Sequence, residues 1–140
     1  MSFNSTSLYW TRGRSAAMAV LAVTASALWA QSQDWTAPAR ASKRPNPIAA
    51  NSESIAKGKV IYTNNCLSCH GETGQGNGPK AKDLDVKPKA LSTTMKDQSD
   101  GALFWKTTEG KKPMPSFEKD LKPEDLWHVI NYMRTLGPKK

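Results

Sequence analysis

Residues 66–70, Cys66-Leu67-Ser68-Cys69-His70, constrain this chain more than any other stretch. Two thiols three positions apart share one helical turn, and an imidazole follows directly. That order is the attachment sequence for c-type haem. Both sulfurs can add across the haem vinyl groups as thioethers, and the histidine is then held beneath the iron as proximal ligand. Cys66 and Cys69 are the only cysteines in the chain, so there is one such site and no disulfide framework. Three other readings compete. Structural zinc usually takes four ligands, and beyond these residues only His128 is available. A thioredoxin-like redox pair is expected after a strand, at the start of a helix, whereas the residues before Cys66 read as a helix. A structural disulfide is the simplest alternative.

The N-terminus supports the haem reading. Residues 1–30 have the form of a secretory signal peptide, with Arg12 and Arg14 ahead of an uncharged stretch from Ala16 to Ala30. Ala25-Ser26-Ala27 and Ala30 offer cleavage positions. The apolar run is short for a membrane span, and an uncleaved anchor is the alternative. Haem c is assembled outside the cytoplasm, so export and the motif belong together, and a bacterial periplasmic location is expected. Residues 31–50 lack apolar periodicity and read as a flexible linker. Residues 51–140 remain for one domain. So short a domain has a modest core, and a covalently held haem would add to its interior.

The chain carries 20 Lys+Arg against 12 Asp+Glu. Loss of Arg12 and Arg14 with the signal leaves 18 against 12, or +6, and two haem propionates bring this to about +4. Lys80, Lys82, Lys87 and Lys89 lie in one loop, and Lys111 and Lys112 precede Met114. They read as a solvated surface or, more sharply, as a docking face for an acidic redox partner. The charge is spread out and the protein is read as exported, so nucleic-acid binding is not expected. Membrane contact is expected only through an uncleaved anchor or a membrane-bound partner.

Along the domain, Asn51 or Ser52 can cap a helix running from about Glu53 to Asn65. Gly58 lowers its propensity but lets another helix cross closely. The glycines from Gly71 to Gly78 allow tight turns beside a flat cofactor, and the Pro79 carbonyl is placed to accept the His70 Nδ1–H. Residues 80–98 read as a long loop, with Leu84, Val86, Pro88 and Leu91 as candidates to lean on the haem. Ser99 or Asp100 caps a short helix carrying Leu103, Phe104 and Trp105, which Gly110 ends. Pro123 opens the last helix. Its apolar face is Leu126, Val129, Ile130, Met133 and Leu136, and His128 reads as surface. No segment reads as a strand, so the fold class is all-α, with terminal helices around the haem segment.

The second axial ligand is sought among the methionines after His70, with His128 as the one remaining candidate. Met133 lies on the apolar face of the last helix and reads as core. Met95 lies in the long loop and stays open as an alternative. Met114, between Pro113 and Pro115, sits on a stiff, extended segment and is the leading candidate. A methionine sulfur opposite histidine raises the reduction potential.

The segments from Gly58 to Tyr62, Cys66 to Pro79, Leu103 to Trp105, Pro113 to Pro115 and Leu126 to Arg134 occur in an order that resembles the class I, single-haem cytochrome c family. The resemblance covers about Ser54 to Gly137. It implies a small cytochrome c fold, one haem c bound through Cys66 and Cys69, and iron held by His70 and Met114. It also implies that Gly58 and Tyr62 pack against the last helix near Val129 and Tyr132. The function expected is a periplasmic electron carrier between redox protein partners, and not an enzyme. A relay subunit of a larger dehydrogenase or oxidase is the main alternative. An enzyme or gas sensor with an open distal site is a third, against which Met114 argues.

Overall fold

Six helical segments and no strands make up residues 35–137, which the computed structural model describes. The expected signal peptide, residues 1–30, lies outside them, as do residues 31–34. In chain order the helices are α1 (Ala39–Ser42), α2 (Ser52–Asn65), α3 (Leu67–His70), α4 (Leu91–Thr94), α5 (Asp100–Glu109) and α6 (Pro123–Leu136). A 3-10 turn at Ala81–Asp83 lies between α3 and α4. None of the described helices is long and apolar enough to cross a membrane.

Local signals place the three long helices. The Asn51 side chain accepts the Ser54 N–H at 2.8 Å and starts α2. The Ser99 hydroxyl accepts the Ala102 N–H at 3.2 Å and starts α5, which ends at Gly110. Pro123 occupies the first turn of α6, with Glu124 and Asp125 at its positive end.

The core forms where α2 crosses α6. Tyr62, Cys66, Leu91, Met95, Leu103, Trp127, Val129, Ile130 and Met133 make one buried cluster. At the crossing, a Cβ on Gly58 would run into the carbonyl oxygen of His128, so only a glycine permits this approach. The Tyr62 ring packs on Tyr132 with centroids 5.3 Å apart. These are the contacts that the resemblance implied.

Three readings of the sequence need correction. First, α6 is buried over most of its circumference, because α2 covers a face beyond the apolar stripe. His128 is therefore buried, with its Nδ1 2.8 Å from the Ser54 hydroxyl. Second, the long loop of residues 80–98 is not without regular structure, since it holds the 3-10 turn at Ala81–Asp83 and the short helix α4. Of the four loop residues expected to lean on the haem, Leu91 is the one in the core cluster. Its N–H donates to the Gly74 carbonyl at 2.8 Å, which pins this loop to the glycine-rich run.

Third, residues 35–50 pack on the domain where a flexible linker was expected. The Asn46 amide donates to the Asn131 side chain at 2.9 Å, and the Asn131 amide donates to the Ile48 carbonyl at 3.1 Å. The Ser99 hydroxyl donates to the Ser42 carbonyl at 2.6 Å. The Arg44 guanidinium lies 4.5 Å above the Phe104 ring, itself stacked on Trp127 at 4.2 Å. The segment has no apolar periodicity because polar and cation–ring contacts hold it.

Candidate haem-attachment site

The Cys66–His70 segment is positioned by its own backbone. The His70 N–H donates to the Cys66 carbonyl at 2.9 Å, and the Gly71 N–H to the Leu67 carbonyl at 2.8 Å. Both thiols are unpaired, with Cys66 buried and Cys69 half-buried. Burial, reinforced by the neighbouring Cys69, pushes the Cys66 thiol up to about 12. Redox-active cysteine pairs need the opposite shift. With no strand among the described residues, the thioredoxin reading has neither its chemistry nor its scaffold. Zinc also lacks support: among the described residues no three His, Cys, Asp or Glu side chains converge to hold a metal ion.

His70 differs from the sequence expectation in one respect. Its Nδ1 is buried and has no hydrogen-bond partner, so the Pro79 carbonyl does not accept from it. The reason lies in how the glycine-rich run folds back. The Gly76 N–H donates to the His70 carbonyl at 2.8 Å, the Gly78 N–H to the Cys69 carbonyl at 3.2 Å and the Lys80 N–H to the Ser68 carbonyl at 2.8 Å. The run is spent on the backbone of α3, and Pro79 itself is exposed. A buried polar atom without a partner costs about 1–3 kcal/mol. Burial also lowers the His70 pKa, which favours the neutral, metal-binding imidazole. Two free thiols beside a half-buried histidine, its pKa lowered and its buried Nδ1 unpartnered, fit a covalently attached haem.

The three candidate methionines separate by environment. Met95 is 2% exposed and Met133 8%, and both belong to the core cluster. Met114 is half-buried and outside that cluster. Its loop leaves α5 at Gly110 and closes on itself through two reciprocal bonds. The Lys111 N–H donates to the Met114 carbonyl at 3.0 Å, and the Met114 N–H to the Lys111 carbonyl at 2.9 Å. The Ser116 hydroxyl then donates to the Thr108 carbonyl at 2.6 Å, and the buried Phe117 follows. The loop is thus bolted to the end of α5 on both sides of Met114.

Two contributors were missed by the sequence reading. The Tyr62 hydroxyl donates to the Gly71 carbonyl at 2.7 Å, linking α2 to the residue after His70. Burial, with smaller contributions from Cys66 and Tyr132, raises the Tyr62 pKa and keeps the phenol protonated. Arg134 donates to the Met95 carbonyl at 2.7 Å, to the Gln98 carbonyl at 2.6 Å and to Asp100 at 2.6 Å, tying α6 to the loop before α5. A tyrosine on the α2 side facing α6 carried a signal for the first. Nothing local distinguished Arg134 from a solvated arginine.

Comparison with known proteins agrees with this geometry. Residues 53–133 match the family described as cytochrome c oxidase, cbb3-type, subunit III. The cbb3-type cytochrome c oxidase subunit CcoP of Azospirillum sp. (strain B510) is 30% identical over 97 residues, 68% of this chain and 33% of the relative. The chain thus spans about a third of that subunit's length. Cytochrome c6 of Alaria esculenta is 33% identical over 85 residues, which are 61% of this chain and 94% of the relative. In a solved structure, the reducing HAO-like protein complex of Kuenenia stuttgartiensis, one chain superposes with a TM-score of 0.60 at 30% identity, covering 66% of this chain and 47% of that one. The chain therefore belongs to the cytochrome c family, with its all-α fold and a covalently bound haem c and iron as cofactor.

Proposed function

We propose that this chain is exported to the bacterial periplasm and carries single electrons between redox partners as a one-haem c-type cytochrome. In this reading Cys66 and Cys69 hold the haem by thioethers, and His70 and Met114 are the axial ligands. When bound, the haem supplies an Fe(II)/Fe(III) couple. The observation that carries the reading is the half-buried His70, whose buried Nδ1 has no partner, beside two unpaired thiols on one helical turn. The chain's own residues do the rest. The backbone bonds of α3 hold the imidazole in place, burial keeps it neutral, and the bolted loop at Met114 offers a sulfur not used in the core. With the haem bound and held by His70 and Met114, no coordination site would be left open for substrate, which would favour electron transfer over catalysis.

The first test is the bond to the cofactor. Denatured mature protein is expected to keep the added mass of one haem and to give a c-type pyridine haemochrome band. Release of the haem into acidic acetone would overturn the assignment. Replacing Cys66 or Cys69 with alanine should weaken retention.

A second reading is favoured by the length of the oxidase-subunit relative, about three times the matched segment. The domain would then be an internal relay in a larger oxidoreductase. A stable complex isolated with the native protein would select this reading, and a free monomeric cytochrome would select the carrier.

A further inference from the structure

We propose that Tyr62 is a positioning residue for the His70 ligand, its phenol anchoring the Gly71 carbonyl and thereby setting how the imidazole is presented. The inference rests on the reading of His70 as an axial ligand.

Five hydrogen bonds hold the backbone of His70 and Gly71. The His70 N–H donates to the Cys66 carbonyl at 2.9 Å and the Gly71 N–H to the Leu67 carbonyl at 2.8 Å. The His70 carbonyl accepts from Gly76 at 2.8 Å, and the Gly71 carbonyl accepts from the Gly74 N–H at 3.2 Å and from the Tyr62 phenol at 2.7 Å. Four are backbone bonds within the segment 66–78. The fifth, the shorter of the two at the Gly71 carbonyl, comes from a side chain on another element and can be removed by one substitution. It matters more here because the imidazole Nδ1 has no partner of its own. The ring's aim therefore depends on how firmly its backbone is held.

Packing alone does not account for a tyrosine at this position. The ring lies against Tyr132 at the α2–α6 crossing, a role that a phenylalanine would fill. A buried hydroxyl is costly unless it is bonded, and Tyr62 is 1% exposed. Its bond reaches Gly71, the buried C-cap of α3, where φ is +79° and the chain turns away from His70. The phenol thus joins the α2–α6 crossing to the point at which the ligand segment changes direction.

The test compares haem-loaded, full-length Tyr62→Phe with Tyr132→Phe and wild type. Tyr62→Phe is expected to retain its haem and to shift the unfolding equilibrium by roughly fivefold, the effect of one lost hydrogen bond. Stability by itself would fit a purely structural role. The deciding readout is the pattern of hyperfine-shifted haem-methyl resonances in the ferric protein, which follows the orientation of the axial imidazole. That pattern should rearrange in Tyr62→Phe and stay as in wild type in Tyr132→Phe. An unchanged pattern in Tyr62→Phe, with only lowered stability, would reduce Tyr62 to packing and overturn the proposal. A wild-type protein without such resonances would overturn the haem reading itself, which is a separate result. Should Tyr62→Phe not fold, wild type decides. The Tyr62 hydroxyl proton should exchange slowly and show a cross-peak to Gly71, and exchange at the bulk rate would overturn the proposal.

Discussion

A thioether sulfur packed against aliphatic neighbours is committed to the core, and this separates the methionines at the scale of single residues. Met95 and Met133 are committed in that way, and Met114 is not. Met114→Ala is therefore expected to keep the haem attached, lower the reduction potential and abolish the weak sulfur-to-iron band near the red end of the ferric spectrum. Met95→Ala should instead cost about 2–5 kcal/mol of stability, as core truncations do, and leave the band in place. A band that survives Met114→Ala and disappears in Met95→Ala would move the ligand to Met95. The same scale explains two departures from the sequence reading. Pro79 and His128 were placed by position in the chain. The His70 Nδ1 does not reach the Pro79 carbonyl, and the residues on either side of Pro79 bond the Cys69 and Ser68 carbonyls instead. His128 was buried because α2 crosses directly over it.

At the scale of elements, the α2–α6 crossing and the segment 35–50 are held differently. The crossing depends on close backbone approach. Gly58→Ala would force a methyl group against the His128 carbonyl, and overpacking of this kind costs about 1–3 kcal/mol. Thermal denaturation of the haem-loaded variant measures it. An unchanged melting temperature would mean that the helices do not meet as described. The segment 35–50 depends on polar contacts and on one other close approach. A Cβ on Gly101 would meet the carbonyl oxygens of Ala41 and Arg44. Gly101→Ala is expected to unseat α1 from α5 and to open a protease site between Trp35 and Ile48, while the haem spectrum stays as in wild type. Asn46→Ala should do the same more weakly, through loss of bonds to Asn131 and Asp100 worth about 0.5–1.5 kcal/mol each. Resistance of both variants to limited proteolysis would show that other contacts hold this segment.

For the whole molecule, Lys80, Lys82, Lys87 and Lys89 are all exposed on the loop between the glycine-rich run and α4. Asp83 and Asp85 lie among them and reduce the local positive charge. If this face docks an acidic redox partner, the bimolecular rate should fall as salt rises, because exposed charges more than about 10 Å apart are largely screened at 0.1 M. Reversing Lys87 and Lys89 to glutamate should slow association more than the electron-transfer step itself. Stopped-flow mixing with the partner separates the two rates. A rate indifferent to salt and to both reversals would leave the lysines as a solvated surface. The sequence by itself determined what short-range chemistry can determine. The attachment motif is five adjacent residues, and the ends of α2, α5 and α6 are set by Asn51, Ser99, Gly110 and Pro123 acting within a turn or two of themselves. The apolar stripe of α6 likewise needed only helical periodicity. Tertiary structure decided whatever depends on two distant segments meeting: the burial of His128 beneath α2, the seating of residues 35–50 on α5 and α6, and the acceptor of the Tyr62 hydroxyl at Gly71. Those contacts are made by single polar or small residues that form no periodic pattern. A tyrosine on the inner side of α2 signals a buried hydroxyl, but only the fold decides which carbonyl it meets.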